Sequence, residues 1–405
     1  MKQEEILNIE AKGCFDFFWN EANTDPASPG YGLIRDNTAV DTRDFASIAS
    51  VGFGLSAIII GIERDWISFK DGKKRVLGTM KTFWNNAEHS EGFFYHFLNL
   101  QTAKKFEASY DCASIIDTSI FLNGALTAAE YFGGEIEALF EKIYRRVDWT
   151  KYYDEARNMY FMGYNPETGG FGAWDMYAEQ MMQYILGVGS PTHAVPAQIY
   201  DGFERSLVTY GDYTFYNSPG GPLFTHQFSH AWFDFRDVRD ADGVDWFANS
   251  VAATLAQREY AMDNPDQRAG YHGNSWGVTA CQGPNGYVAY GTPPYKDGII
   301  PEGNDGTIAP AAAAGSIVFT PKETLDMMWY LYENMPELWD QYGMLDAYNL
   351  EGEKAWYADR VIGIDKGVTL LMIENYQTGL IWELYGRNHY VKKAAGMLGL
   401  ERVDA

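Results

Sequence analysis

The chain has 405 residues, with 31 Lys and Arg against 55 Asp and Glu, a formal net charge of −24. At about 100–200 residues per domain this length allows two or three domains or one large barrel, and it can bury a core without staples. So acidic a balance repels phosphate backbones and anionic lipid, which excludes nucleic acid and membrane surfaces as expected partners. Cys14, Cys112 and Cys281 are odd in number and scattered, without a CxxC pair, so neither a disulfide framework nor a thiolate zinc site is indicated. The N-terminus lacks the apolar run of a secretory signal, and the longest apolar stretch, 57–62, is far too short to span a bilayer. The expectation is a cytoplasmic protein, or a secreted or periplasmic one if a leader has been trimmed.

In chain order, residues 2–20 read as an amphipathic helix with Ile6, Ile9, Phe15 and Phe18 on one face. Residues 43–63 read as a small-residue helix buried nearly all round. Further helices are predicted at 66–87, 112–132, 134–147, 176–187, 245–262, 321–335, 363–375 and 388–397. Thr320-Pro321-Lys322-Glu323 is a start signal, with Thr as N-cap and Pro at the first helical position. Gly187 and Gly363 fall where helix ends or turns are expected. Short period-two strand patterns occur near 213–217 and 316–320. There is no βαβ alternation, no GxGxxG, no P-loop and no linker dividing two domains. Ten to twelve helices joined by uneven, glycine-rich loops predict a toroid of paired helices as one unit over 1–405. The loops 159–175, 213–230 and 264–310 are long for connections and carry Trp, Tyr, His, Asn and Asp, as expected of a site at one rim.

Aromatic content points toward sugar: Tyr 28, Phe 24 and Trp 12 make 16% of the chain, and aromatic faces pack well on the C–H faces of sugar rings. Three constellations carry candidate chemistry. Asp117 shares a helical stripe with Ile120, Phe121, Gly124 and Ala128, so its carboxylate must be paired or face a wet cavity; an acid near a helix start is the competing structural reading. Glu179 falls in the first turn or so of a helix, between Met176 and Met182. Apolar and aromatic neighbours there would desolvate the carboxyl and raise its pKa, as a general acid at neutral pH requires. Asn274-Ser-Trp276-Gly and Glu302-Gly-Asn-Asp305-Gly supply sugar-hydroxyl ligands or a second carboxylate, although turn chemistry alone accounts for Asn-Asp-Gly.

Three other patterns are set aside. Asp237, Asp240, Asp242 and Asp245 break the spacing of a calcium loop and read as a solvated turn. His226 and His230, four apart, lack the frame of a metal site. Gly273–Gly277 matches GxSxG but lies in a loop of a helical chain, without the strand and helix a nucleophile elbow needs.

The segments Phe161-Met-Gly-Tyr-Asn-Pro-Glu167, Ala178-Glu179-Gln-Met-Met-Gln-Tyr-Ile-Leu with Ser190-Pro-Thr-His193, Asn274-Ser-Trp-Gly-Val-Thr-Ala280, Asn304-Asp-Gly-Thr-Ile-Ala-Pro310 and Ile373-Glu-Asn-Tyr-Gln-Thr-Gly-Leu380 occur in this order. With Ser47–Gly54 and Gly92–Phe97 they resemble, over nearly the whole chain, the "glucoamylase-like" domain of bacterial β-1,2-glucan-active enzymes, glycoside hydrolase family 144 and its relatives. The resemblance implies an (α/α)6 barrel and an inverting hydrolase of β-1,2-glucan. It makes Glu179 the family's glutamate ahead of the Ser-Pro-Thr-His turn, and Asp117 the acidic position of the Ser-x-Ile-Asp-Thr helix. Relatives often carry a carboxylate two residues before that serine, where this chain has Cys112 with Asp111 beside it. The expected site is therefore Glu179 as acid and Asp117 as base, with Asp111 and Asp305 as alternatives for the base. Trp174, Tyr177, Trp276 and Tyr376 are the expected stacking residues, and His193, Asn274 and Glu302 the hydroxyl ligands. The expected partner is a glucan or oligosaccharide, and no metal or organic cofactor is implied. Another glucan linkage, transglycosylation and a non-catalytic sugar-binding role remain the alternatives.

Overall fold

The computed structural model describes residues 5–106, 112–293 and 304–403, among which there are twelve α-helices and only short strands. The helices are of two kinds. α2 (Ile48–Glu63) buries 14 of its 16 residues, α4 (Ile115–Phe132) 15 of 18, α6 (Met181–Gly189) all 9 and α10 (Gly363–Gln377) 12 of 15. In contrast, α3 (Phe69–Asn85) buries 7 of 17 and α5 (Gly134–Arg146) 5 of 13, spaced three and four apart. A helix without a polar face must be surrounded by others, whereas a single apolar stripe suits a helix covering an inner layer. The result is an α/α toroid, with α2, α4, α6 and α10 inside. The outer layer includes α1 (Glu5–Asn20), α3, α5, α7 (Trp246–Asp263), α9 (Pro321–Asn334) and α12 (His389–Met397).

The closest approach in the inner ring is α2 against α4. A Cβ built on Gly124 would lie 1.9 Å from the Gly52 carbonyl oxygen, and one on Gly52 2.4 Å from the Ile120 oxygen. No side chain fits there, so the glycines set the distance between the two helices. The inner helices also start at one rim. Ile48 and His96 are joined by a backbone hydrogen bond, as are His96 and Cys112, which ties the start of α2 to that of α4. Gly363 donates to the Asp36 carbonyl and packs on Ser50, bringing α10 beside α2. Short sheets edge this rim, notably Ala113–Ser114 with Gly163–Asn165 and Gly169–Phe171.

Most predicted helices form, with shifts at the ends. Ile9 is 38% exposed, and the inward position is taken by Glu10, whose carboxylate meets Lys366 at 2.8 Å and the Met344 N–H in the interior. Residues 45–47 form a strand with 97–99 before α2 begins, and Ser47 caps the helix through the Ser50 N–H. The pattern near 213–217 is a hairpin, Leu207–Tyr210 with Tyr213–Tyr216. That at 316–320 is not a strand: it is a run of turns after α8 (Pro310–Ala314), with Ser316, Ile317 and Phe319 each bonded three residues back. Thr320 stands at the N-cap of α9, but its hydroxyl faces Ser316 and Thr324 rather than an amide. Gly187 lies inside α6, where the Tyr160 hydroxyl occupies the space of a side chain. α11 (Leu380–Arg387) escaped the sequence reading; Gly379, at φ 74°, turns the chain between it and α10. Cys14 and Cys281 are buried free thiols, and among the described residues no helix is long and apolar enough to cross a membrane.

Gly124→Ala is expected to lower the free energy of unfolding by about 2 kcal/mol through overpacking, although alanine is the better helix former by about 1 kcal/mol. Gly386→Ala on the exposed side of α11, where a Cβ meets open space, should leave stability unchanged or raise it by up to about 1 kcal/mol. Urea unfolding of both variants followed by circular dichroism checks the pair.

Candidate active site

The rim where the inner helices begin gathers the carboxyl groups. Asp117 occupies the first turn of α4: the Ser114 hydroxyl accepts the Asp117 N–H at 3.2 Å and donates to its carboxylate. The His96 ring lies 3.6 Å from the other carboxylate oxygen. Asp117 is 7% exposed and Glu179 8%. Glu179 stands in a turn two residues before α6, not in its first turn, because Gln180 is the N-cap. Ser229 fastens that turn: its hydroxyl donates to the Glu179 carbonyl at 2.6 Å and accepts the Met182 N–H at 3.1 Å. Burial pushes the Glu179 carboxyl up to about 7; its own backbone N–H opposes the rise and the Asp117 charge adds to it. The two acids are thus electrostatic neighbours, with a proton held on Glu179 near neutrality.

The cluster extends further than the sequence reading saw. Burial raises the Asp36 carboxyl; the Asn37 side-chain amide, at 2.8 Å, and His96 oppose this, and Asp117 reinforces it. Beyond Asp36 lie Asp346 and Asp365, each 4% exposed. Burial raises Asp346 to about 6 against the Gln282 N–H, which it accepts at 2.7 Å, and against a hydrogen bond from Asp365. Burial and the Asp346 charge raise Asp365 well above the carboxylate range, so the pair shares one proton, carried on Asp365. Glu179, Asp117, Asp36 and the Asp346–Asp365 pair form one stripe along the rim. Asp365 carries the same signature as Asp117, an acid in the first turn of a helix with no polar face, and could have been found by it. Asp36 and Asp346 lie in loops with no periodic signal. Two hollows lie elsewhere: one of about 560 Å³ at the far ends of α2 and α10, where Glu63, Glu374 and Glu383 stand with Arg64, and one of about 580 Å³ along α3, lined by lysines and small residues.

The other expected residues are dispersed. Tyr177 is buried, stacked on Trp246 at 4.6 Å, and Trp276 is wholly buried, so both are core rings and offer no face to a sugar. Trp174 is buried in the segment leading to Glu179, its indole N–H without a hydrogen-bond partner among the described residues. Tyr376 lies near the C-terminal end of α10, away from the rim. His193 lies past the C-terminal end of α6, the opposite end from Glu179, beside Asp148 at 3.7 Å. Asn274 sits half-buried in a turn, its N–H on the His272 ring at 3.2 Å. Asp305 accepts the Thr307 N–H at 2.9 Å and the Tyr290 hydroxyl at 3.1 Å, the bonding of a structural turn. Asp111 and Glu302 lie outside the described residues.

The patterns set aside have structural uses. Asp240 accepts the Tyr200 hydroxyl, the Trp246 N–H and two turn amides, so it is a buried turn anchor rather than a solvated one. His226 and His230 are buried and neutral, burial pushing each down to about 3. Ser275 is fully buried against the Tyr348 hydroxyl. Among the described residues, no group of three His, Cys, Asp or Glu is arranged to hold a metal.

An α/α toroid is the fold of glucoamylase-like glycosidases. The family model named Glycoamylase, described as "Putative glucoamylase", matches residues 172–389, more than half of the chain, and the chain belongs to that family. It is 27% identical over 448 aligned residues to the exo beta-1,2-glucooligosaccharide sophorohydrolase (non-reducing end) of Parabacteroides distasonis, with all of this chain covered. The chain spans 58% of that relative's length. The endo-beta-1,2-glucanase of Chitinophaga pinensis, solved with sophorotriose and glucose, superposes with a TM-score of 0.89 at 27% identity, covering 99% of each chain. The beta-1,2-glucanase of Parabacteroides distasonis has the same fold, with a TM-score of 0.88 at 24% identity over 98% of this chain and 60% of that one. The family-144 resemblance drawn from the motifs stands.

A carboxyl whose pKa rises on folding costs stability once pH exceeds its unfolded value near 4.5, and the cost is complete above its folded value near 7. Glu179→Gln removes that cost. Its stability relative to the parent is expected to improve by about 3 kcal/mol between pH 4 and pH 8, as read from denaturant unfolding at the two pH values.

Proposed function

We propose that this protein is a glycoside hydrolase that cleaves β-1,2-glucan or its sophoro-oligosaccharides with inversion, residues 1–405 acting as one catalytic unit. The observation that carries this reading is the pairing of a buried, proton-holding Glu179 with a hydrogen-bonded Asp117 at one rim of the toroid. The known activity of the Parabacteroides relative and of the Chitinophaga neighbour on β-1,2-linked glucose supports the choice of linkage.

In this mechanism Glu179 gives its proton to the glycosidic oxygen as the bond from that oxygen to the anomeric carbon breaks. A water attacks the same carbon from the opposite face, and Asp117 takes the proton that water releases, directly or through a sugar hydroxyl. The new C–O bond has the opposite anomeric configuration, as expected when two carboxyls stand apart across a cleft with water between them. The Ser114 hydroxyl and the first turn of α4 hold the Asp117 carboxylate in place for that step. Burial keeps Glu179 an acid.

Incubation with linear β-1,2-glucan, beside soluble starch, laminarin and β-1,4-glucan, tests the reading. Sophorose-series products from the first substrate alone are expected, with the α-anomer appearing first by NMR. Glu179→Gln should lower the rate by about 100- to 10,000-fold. In the parent, activity should fall as pH rises through about 7, where Glu179 loses its proton. Cleavage of another polymer with silence on β-1,2-glucan would sink the linkage assignment, and full activity in Glu179→Gln would sink the acid.

A further inference from the structure

One row of the rim sheet leads from the candidate base to an open aromatic ring. Ala113–Ser114 pairs with Gly163–Asn165 and that strand with Gly169–Phe171, in a register that sets Ser114, Gly163 and Phe171 opposite one another. Directly opposed residues of antiparallel strands point to the same face, about 5 Å from one neighbour to the next. At one end of the row stands Ser114, whose hydroxyl bonds the Asp117 carboxylate. Gly163, in the middle, has no side chain. The Phe171 ring lies across it, with its tip in the space a Cβ on Gly163 would need, and so reaches back toward Ser114.

The two faces of this sheet have different surroundings. On the other face Ala113 opposes Tyr164, whose ring meets Tyr152 at 5.7 Å, and Phe161 fills the space over Gly170. That face anchors the sheet. Tyr95 bridges Ala113 from the far side, which turns its neighbour His96 to the Ser114 face, and His96 lies 3.6 Å from Asp117. The Ser114 face is thus the one that looks onto the candidate base. Glu179 follows Phe171 by eight residues, in a segment pinned by the Trp174 N–H on the Tyr160 carbonyl at 2.9 Å. Phe171 is tied to Asp117 through the sheet and to Glu179 along the chain, yet its side chain is 50% exposed.

We propose that Phe171 is a sugar platform, its open ring taking the apolar C–H face of a glucosyl unit that neighbours the bond cut between Glu179 and Asp117. In a β-linked glucose the ring hydroxyls lie at the edge and the axial C–H bonds make two flat apolar faces, which suit an aromatic face. Gly163 is what lets the ring lie flat along the sheet, because any side chain there would lift it away. The ring supplies the contact that Tyr177 and Trp276, locked in the core, cannot.

This inference rests on the β-1,2-glucan reading, and the test separates the two. Binding of a β-1,2-linked glucopentaose is measured by calorimetry to Glu179→Gln, and then to the same protein carrying Phe171→Ala, Phe171→Leu or Phe171→Tyr. Alanine and leucine are each expected to weaken binding about 10-fold, leucine because it keeps apolar bulk over Gly163 without a flat face. Tyrosine keeps the ring and should bind within 2-fold of Glu179→Gln alone. Phe69→Ala, which removes a ring 51% exposed on the outer helix α3, should leave binding unchanged. In the Glu179-intact enzyme, Phe171→Ala should raise KM more than it lowers kcat. Hydrolysis by the parent and measurable binding to Glu179→Gln, with affinity held within 2-fold by Phe171→Ala or Phe171→Leu, would overturn the platform alone. No hydrolysis and no binding by any form would overturn the functional reading and the platform together.

Discussion

Helices without a polar face leave an acid in their first turn only one direction in which to be solvated, and the rest of the molecule follows from that constraint. α2, α4, α6 and α10 are enclosed by other helices along nearly their whole length, so water reaches them only at their ends. Asp117 and Asp365 occupy first turns at one such end, and Glu179 stands just ahead of a third. The same arrangement collects the positive ends of several helix dipoles at the mouth of the toroid, which offsets part of the repulsion among the carboxylates. A cluster this acidic would otherwise be hard to hold together in a chain already carrying a net charge of −24.

Burial then divides these chemically alike groups into different roles. The Asp117 carboxylate receives a hydrogen bond from the Ser114 hydroxyl and sits beside His96, whereas Glu179 is covered by protein and held at its backbone by Ser229. Burial keeps the second protonated near neutrality. The Asp346–Asp365 pair is a third solution, in which two carboxyls too close to ionise together keep a single proton. The stability given up to bury such groups is the usual compromise of a catalytic cleft, made tolerable by a large core elsewhere.

Where sequence reasoning succeeded, it had a periodic signal to use. The run 48–61 is apolar at every turn and had to be an inner helix, and the stripe of Asp117 with Ile120, Phe121, Gly124 and Ala128 marked a second, whose Ser114 cap the sequence reading did not single out. Apolar neighbours around Glu179 implied a desolvated acid, although the helix begins at Met181, five residues later than the expected 176, because Gln180 rather than an upstream residue caps it. Trp276 and Tyr177 show the limit. An aromatic residue in a motif has the same letter whether it stacks on a sugar or on another ring, and only packing made Tyr177 the partner of Trp246.

Composition and helical periodicity, both of them local, determined that this chain is a helical toroid with an acid at the start of one inner helix and a desolvated glutamate near the start of another. Ordered motifs along the chain determined the family. Only the tertiary structure decided which acids meet, because Asp36, Asp117, Glu179, Asp346 and Asp365 come from separate segments whose closeness depends on how the inner ring closes. It likewise sent His193 to the far end of α6 and brought the Gln282 N–H onto Asp346. Such long-range neighbours leave no periodic trace, since they are set by packing distances such as that between Gly52 and Gly124 rather than by any spacing along the chain.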